Sequence, residues 1–350
     1  MQRFWLILIV ISLQIVTAGA QETSSSGKKP SATPTPAATT KNNKRLENTE
    51  VLEAKPASTN KAVSEKYGEG KHWSFYLTTS GRFDSNINHD QDDIDDYGFV
   101  GGIGVYFRNK AKNPNFEFEY EIGRQEYKNT SRWDRTSHSL RAWSENKLGK
   151  KWISTTRGEI SLKGSTEDRE LTNRYSVSQF FQYRLNNKNR FNIGGAYRLK
   201  RDDDDKRRDS TNPYLEAGYE RRFSKGRRKL EFSYRYEENH ARNERFDYIR
   251  RTYAAKYVTP LLKIGHLDLE ARFRPQTNAR LVRIELPNGK KINVPRRDKR
   301  WIYSADYRYP LSRTLELGLI YKYEQRNSND PDRNFKAHAA VVVLTYRWWR

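Results

Sequence analysis

The stretch NFEFEYEIG, residues 115–123, alternates apolar side chains with glutamates. One face of an extended chain would carry Phe116, Phe118, Tyr120 and Ile122, and the other would carry Glu117, Glu119 and Glu121. Successive side chains of a β-strand point to opposite sides, so a period of two is typical of a strand with one apolar and one polar face. The stretch therefore predicts a strand that separates two different environments.

The same period recurs to the end of the chain, in KLEFSYRYE (229–237), RWIYSADYRYPL (300–311) and RTLELGLIYKYE (313–324). No segment carries a helical stripe of comparable strength. The pattern predicts an all-β fold of about fourteen strands, within a range of twelve to sixteen. Their expected ranges are 72–87, 96–109, 116–128, 137–147, 152–164, 172–186, 190–201, 213–224, 228–239, 247–260, 265–275, 299–310, 314–326 and 335–349.

The connections between these strands alternate in length. Every second one is tight, as in NKLGKK (146–151), NNKNR (186–190) and SKGRR (224–228). The others are longer and charged, as in NHDQDDIDD (88–96) and the long segment 276–298. A transmembrane up-and-down antiparallel β-barrel sorts its connections in this way, with short turns on the periplasmic side and long loops outside.

A soluble all-β protein is the alternative fold. Its surface would then carry large contiguous aromatic patches, which soluble monomers rarely tolerate. Most of the predicted strands also reach the 9–11 residues that span a bilayer when tilted. The low mean hydropathy of −1.03 fits a barrel, because only alternate strand residues meet lipid.

The beginning of the chain predicts export. Residues 1–20 combine Arg3, an apolar run and the small residues Ala18-Gly19-Ala20, as in a secretory signal peptide. Residues 21–70, rich in Ser, Thr, Pro and Lys, are expected to be a disordered periplasmic tether. The barrel is then expected over 71–350, in the outer membrane. The absence of cysteine excludes a disulfide-based fold and a lipoprotein attached through cysteine.

Residues 71–350 resemble a bacterial outer-membrane β-barrel of the porin-like kind. The resemblance extends to RFDSNI (82–87), whose DSN after the first strand is similar to that of porin-like barrels of poorly known function. Asp, Ser and Asn also favour turns, so the same three residues fit a simple turn start. The final strand resembles the terminal strand that such proteins present to the barrel assembly machinery. Its expected lipid-facing residues include Val342, Leu344, Tyr346 and Trp348.

The polar faces of the strands would line the lumen. The residues predicted there are Glu117, Glu119, Glu121, Arg174, Arg184, Arg198, Glu231, Arg235, Arg272, Arg274, Asp306 and Arg308. Such side chains can select solutes by charge, or they can form cross-strand ion pairs that brace the wall. The segment 276–298 reads as a small hairpin that either folds inward as a plug or projects outward.

The preferred function is a porin-like channel for small or charged, including anionic, solutes. Lys and Arg exceed Asp and Glu by 23, and most of the excess lies in 71–350. In an exported protein this charge points to lipopolysaccharide, other outer-membrane lipids, acidic polysaccharide or small anions, and no nucleic acid is expected. The alternatives are a barrel that exports an acidic polysaccharide and a structural or surface-binding barrel with a closed lumen.

An enzyme and a metal protein are the less favoured readings. His72 and Ser74 have the spacing of a base and nucleophile, but no third residue beside them completes a triad. The acidic clusters 90–96 and 202–205 lack the spacing of a calcium loop, so they are expected to be solvated loop charge. The sequence predicts no catalytic residues, no metal and no cofactor.

Overall fold

The computed structural model describes residues 71–87, 89, 94–109, 114–131, 134–165, 171–203, 205–224, 227–262, 264–285 and 288–349. The expected signal peptide and tether lie outside these residues, as does most of the acidic cluster 90–96. No helix in the described ranges is long and apolar enough to cross a membrane.

The described residues form long strands joined by turns, loops and short 3-10 turns. The strands are β1 (Lys71–Asp84), β2 (Asp96–Asn109), β3 (Asn115–Tyr127), β4 (Arg135–Leu148), β5 (Trp152–Ser165), β6 (Leu171–Arg184), β7 (Asn189–Asp202), β8 (Ser210–Thr211), β9 (Tyr214–Phe223), β10 (Arg228–Ala241), β11 (Tyr248–Leu261), β12 (Gly265–Glu285), β13 (Lys291–Pro310), β14 (Leu315–Ser328) and β15 (Phe335–Trp349).

Fourteen of these strands, all except the two-residue β8, make one closed antiparallel barrel. Each long strand pairs with the next along the chain, and β15 pairs with β1 from Ser74↔Trp349 to Asp84↔Ala339 to close the ring. The two-residue β8 joins β7 to β10 beyond the start of β9. The predicted barrel and its strand number are confirmed. Closure of the ring leaves no edge strand with unpaired backbone groups.

The two ends of the barrel differ, and we name them by their connections. The tight-turn end carries the turns after β2, β4, β6, β9, β11 and β13, and the loop end carries the other connections. Strand ends fall within a few residues of the predicted ranges, except that β12 and β13 run much further at the loop end. There the predicted hairpin continues the ladder, from Leu281↔Pro295 to Glu285↔Lys291, beyond a register shift after Thr277.

This β12–β13 extension projects from the barrel. None of its described residues between Ala279 and Pro295 is buried, so both of its faces meet solvent. Gly289 has φ +79°, a conformation that glycine adopts without strain in a tight turn. The extension is therefore an outward projection and not a plug.

The two faces of each strand have opposite character. Along β15, Val342 is 51% exposed and its neighbour Val343 is 2% exposed. Leu344, Tyr346 and Trp348 share the outward face with Val342, and the rings of Tyr346 and Trp348 lie there with their centroids 5.5 Å apart. Large exposed apolar residues recur on the same face of the other strands, as Ile103, Ile193 and Leu215 show. The barrel thus carries an apolar belt outside.

One sector of the outward face is more polar than the rest. On β5 and β6, Gln179 accepts a hydrogen bond from Thr156 and donates one to Ser154 at 2.7 Å. These mutual bonds satisfy the polar groups within the sector. The poor alternation that the sequence shows over β4 and β5 has this origin, because small hydroxyl residues replace the large apolar ones.

Candidate functional site: the inward face of the barrel

The inward face is identified by a contact that crosses a strand. The Tyr76 hydroxyl of β1 donates to Glu119 at 2.9 Å and to Glu121 at 3.1 Å on β3. The ring passes over Gly104 of β2, which lies directly opposite Tyr76, and a Cβ at Gly104 would overlap that ring. Only side chains on the concave side of a curved sheet converge in this way.

Cross-strand pairing extends this face around the barrel, because directly opposed residues of an antiparallel pair lie on the same side. Every residue that the sequence placed in the lumen lies on the inward face. They are Glu117, Glu119 and Glu121 of β3, Arg174 and Arg184 of β6, Arg198 of β7, Glu231 and Arg235 of β10, Arg272 and Arg274 of β12, and Asp306 and Arg308 of β13.

The three glutamates of β3 form an acidic ladder braced by tyrosine and arginine. Glu117 accepts from the Tyr106 hydroxyl at 2.5 Å and lies 3.1 Å from the Nε of Arg108. Glu119 and Glu121 share the Tyr76 hydroxyl. Because each carboxylate has at least one donor, three acidic groups can stand in succession on one strand.

Ion pairs line the middle of the inward face. Arg174 lies 2.7 Å from Glu159, and Arg235 lies 2.6 Å from Glu216. Their side chains retain between 17% and 30% of their exposure, so water reaches them. These pairs brace neighbouring strands and also leave charged atoms open to the lumen.

The loop end has a denser network. The Glu324 carboxylate lies 2.5 Å from the guanidinium of Arg300 and 3.0 Å from the ammonium of Lys322. A second ion pair joins Arg296 and Asp298 at 3.3 Å. All of these side chains are nearly inaccessible to water. Partnered charges can be buried in this way because each carboxylate is matched by guanidinium or ammonium groups.

The first loop, which follows β1, packs against this network. The described residues Asn86, Ile87 and His89 are buried, and the His89 ring packs against Phe335 of β15 with centroids 4.8 Å apart. The His89 ring nitrogens lie 3.6 Å from Glu324 and 3.9 Å from Asp84. The loop end is therefore narrowed by residues after β1, which sequence reasoning missed.

The DSN motif anchors the start of this loop. The Asp84 carboxylate accepts from Arg82 at 2.8 Å and from the Asn86 backbone N–H at 3.2 Å. The Ser85 hydroxyl accepts from the backbone of His338, and the Asn86 amide donates to the carbonyl of Lys336. These bonds fit the interpretation of DSN as a turn start, and they hold the loop against β15.

The described acidic loop residues fall into two groups. Asp95 and Asp203 are exposed, whereas Asp96, Asp202 and Asp205 are buried, so the expectation of solvated loop charge is wrong for these three. Asp96 is fully buried and accepts from Thr130 and from the backbone N–H of Asn129. Asp205 accepts from Arg207 at 2.9 Å, and this hydrogen bond holds the pKa of the Asp205 carboxyl below its usual range. In the described ranges no three or more His, Cys, Asp or Glu residues form a group suited to a metal.

Two further residues, Trp143 and Ser74, lie on the inward face. Trp143 of β4 lies opposite Glu117, and its ring lies 6.1 Å from that of Tyr106. The weak alternation of β4 hid this phase. Ser74 is buried on the inward face of β1, away from the apolar belt, and the side chain of His72 falls outside the described residues.

No family model and no curated protein matches the chain. Among solved structures, the barrel is similar to an anion-selective porin from Comamonas acidovorans, with 9% identity, a TM-score of 0.45, and 80% and 99% of the two chains covered. It is also similar to a bacterial polysaccharide outer membrane secretin, with 11% identity, a TM-score of 0.47, and 78% and 98% covered.

A loop-deletion form of OmpT, an outer membrane protein of Vibrio cholerae, is similar at 10% identity and a TM-score of 0.45, with 80% and 100% covered. These likenesses concern the barrel and say nothing of a solute. The closed barrel itself agrees with the resemblance of the sequence to outer-membrane β-barrels.

Proposed function

We propose that this chain is an outer-membrane, porin-like channel that passes small charged solutes through a water-filled lumen. The observation that carries the proposal is the contrast between the two faces at mid-barrel. Apolar side chains such as Ile193 lie exposed outside, while paired charges such as Arg235 and Glu216 stay accessible inside. An apolar belt around a polar interior is the design of a barrel that holds water within a bilayer.

The orientation follows from the connections. We place the tight-turn end in the periplasm and the loop end outside, as short turns and long loops favour. The chain enters β1 at the tight-turn end, so residues 21–70 would form a periplasmic tether after removal of a signal peptide at 1–20. Lipopolysaccharide and other outer-membrane lipids would surround the belt, and β15 would be the strand presented to the barrel assembly machinery.

Dense packing at the loop end favours a second candidate, a structural or surface-binding barrel with a closed lumen. There Arg300 and Glu324 are almost entirely buried beside the inserted first loop. A closed barrel would make the same ion pairs without a continuous water path. The two functions differ in whether solutes cross.

Conductance in a planar lipid bilayer separates these candidates. A channel gives steady current steps from the folded, heat-modifiable protein, and its reversal potential in a salt gradient reports charge preference. If the folded protein inserts but does not conduct, the channel proposal is rejected and the closed barrel is favoured. Block of the current by an added acidic oligosaccharide would instead favour export of an acidic polysaccharide.

A further inference from the structure

Two arginines lie directly opposite each other on the inward face at the tight-turn end. Arg184 of β6 pairs with Arg190 of β7 across the turn 185–188. Cβ atoms of directly opposed residues are about 5 Å apart, and like charges in that relation destabilise a sheet.

A third arginine, Arg222 of β9, shares a carboxylate with Arg190. Glu220 of β9 lies opposite Arg190, with its Oε1 3.6 Å from the Arg190 Nε. The same oxygen accepts a hydrogen bond of 2.5 Å from the Arg222 Nε. One carboxylate thus serves two guanidinium groups. Glu145 of β4 lies at the same end of the inward face and forms no hydrogen bond or ion pair with Arg190.

The guanidinium of Arg184 has no such partner. No described residue forms a hydrogen bond or an ion pair with it, and its Nε is buried. Arg190 donates from Nη1 to Gln182 at 3.2 Å, while its buried Nε also lacks a hydrogen bond. Buried donors without acceptors are costly, so the cluster has unused capacity for an anion.

The approach to the cluster is basic as well. Lys151 and Lys188 lie in the turns beside it, where their carbonyls accept from the backbones of Arg184 and Arg222. Arg228 and Lys229 begin β10 at the same end, where Lys229 lies 2.8 Å from Glu231. A concentration of one sign around an opening raises the local concentration of the opposite ion.

We propose that Arg184, Arg190 and Arg222 form a binding site for an oxyanion, a phosphate or carboxylate group, at the tight-turn mouth of the lumen. A planar guanidinium presents donors in a fork that matches two oxygens of such a group. Glu220 orients Arg190 and Arg222, and Arg184 supplies the open fork. The inference rests on the proposed channel in taking the anion to be a solute that enters the lumen.

Titration of the full-length protein, folded in detergent micelles, with inorganic phosphate tests the site by calorimetry. Sodium chloride of equal ionic strength serves as the reference. Arg184→Gln is expected to weaken phosphate binding about tenfold, the loss of roughly 1.4 kcal/mol from one charge-assisted contact. Arg184→Lys keeps the charge but not the forked donors, so its phosphate affinity is expected to lie between those of the wild type and Arg184→Gln. Heat-modifiable migration shows that each variant is folded.

Arg157→Gln is the matched control, since Arg157 is an exposed inward arginine of β5 outside the cluster. It should leave the affinity unchanged. Equal binding by wild type and Arg184→Gln, or equal losses in both variants, would overturn the site. If the barrel binds phosphate but does not conduct, the anion site is supported and the proposed channel is rejected.

Added phosphatidylglycerol distinguishes a free anion from a lipid headgroup. Unchanged phosphate affinity in its presence supports a solute site. If phosphatidylglycerol competes with phosphate in the wild type but not in Arg184→Gln, the arginines bind lipid phosphate. That result would overturn their assignment to a solute.

Discussion

The imidazole Nδ1 of His89 lies 3.6 Å from Oε1 of Glu324, which joins the first loop to the inner wall at the loop end. This contact narrows the lumen. Replacing Ile87 and His89 together by glycine is therefore expected to raise single-channel conductance, because two buried side chains leave the passage. The double substitution Arg283→Gly with Glu285→Gly, in the projecting extension, should not change it. Equal conductance in both variants would place the narrowest point elsewhere.

Glu324 itself is predicted to be a stability centre. Glu324→Gln leaves Arg300 and Lys322 without their shared countercharge, and breaking a buried pair costs roughly 3–5 kcal/mol. Urea unfolding in micelles measures this loss. Glu126→Gln is the control, because the Arg124–Glu126 pair is more than half exposed and its loss should have little effect. Similar unfolding midpoints for the two variants would contradict a buried network.

Removal of one hydroxyl should weaken the acidic ladder. Tyr76→Phe leaves Glu119 and Glu121 without a shared donor, for an expected loss of about 1–3 kcal/mol in the free energy of unfolding. Tyr234→Phe removes a hydroxyl from the outward face of β10 and should be close to neutral. The same urea series compares them. A neutral Tyr76→Phe would mean that water replaces the hydroxyl.

The glycine beneath that ring provides a separate prediction. Gly104→Ala places a methyl group where the Tyr76 ring lies, and overpacking of this kind costs about 1–3 kcal/mol. Gly81→Ala on β1 meets nothing within 4 Å, so it should leave stability unchanged or raise it slightly. If the two alanine variants unfold alike, the ring does not cross β2 in the folded protein.

Truncation tests the closing strand. Deleting Val343–Arg350 removes the pairs from Ser74↔Trp349 to Ser80↔Val343 and opens the ring. An open edge within a bilayer leaves backbone groups unsatisfied, so the truncated protein is expected to fail to insert. Deletion of 283–290 removes as many residues from the projecting extension and should permit insertion. Heat-modifiable migration of membrane fractions measures both, and a normally inserted truncation would refute this role of β15.

Much of the fold followed from local pattern. The stretch 115–123 predicted which side of β3 meets water, and the register places Glu117, Glu119 and Glu121 together on the inward face. Strand ends were located well wherever the alternation met a polar turn. The inward face of Trp143 could not be predicted, because β4 carries small and polar residues on both faces and the alternation there has no clear phase.

The candidate site was predictable in composition and not in its contacts. Arg184 and Arg190 were within reach of sequence reasoning, since a tight turn joins their strands. The convergence of Asp84, His89 and Glu324 was not, because it joins residues that are far apart in sequence.

The sequence by itself determined that this protein is a barrel with an apolar outside and a charged inside, because side chains of a strand alternate whatever its partners are. Only the tertiary structure decided which charges meet, that the first loop narrows the loop end, and that the extension of β12 and β13 projects. Those features depend on the stagger between strands and on ring closure, which set distances between residues from distant parts of the chain.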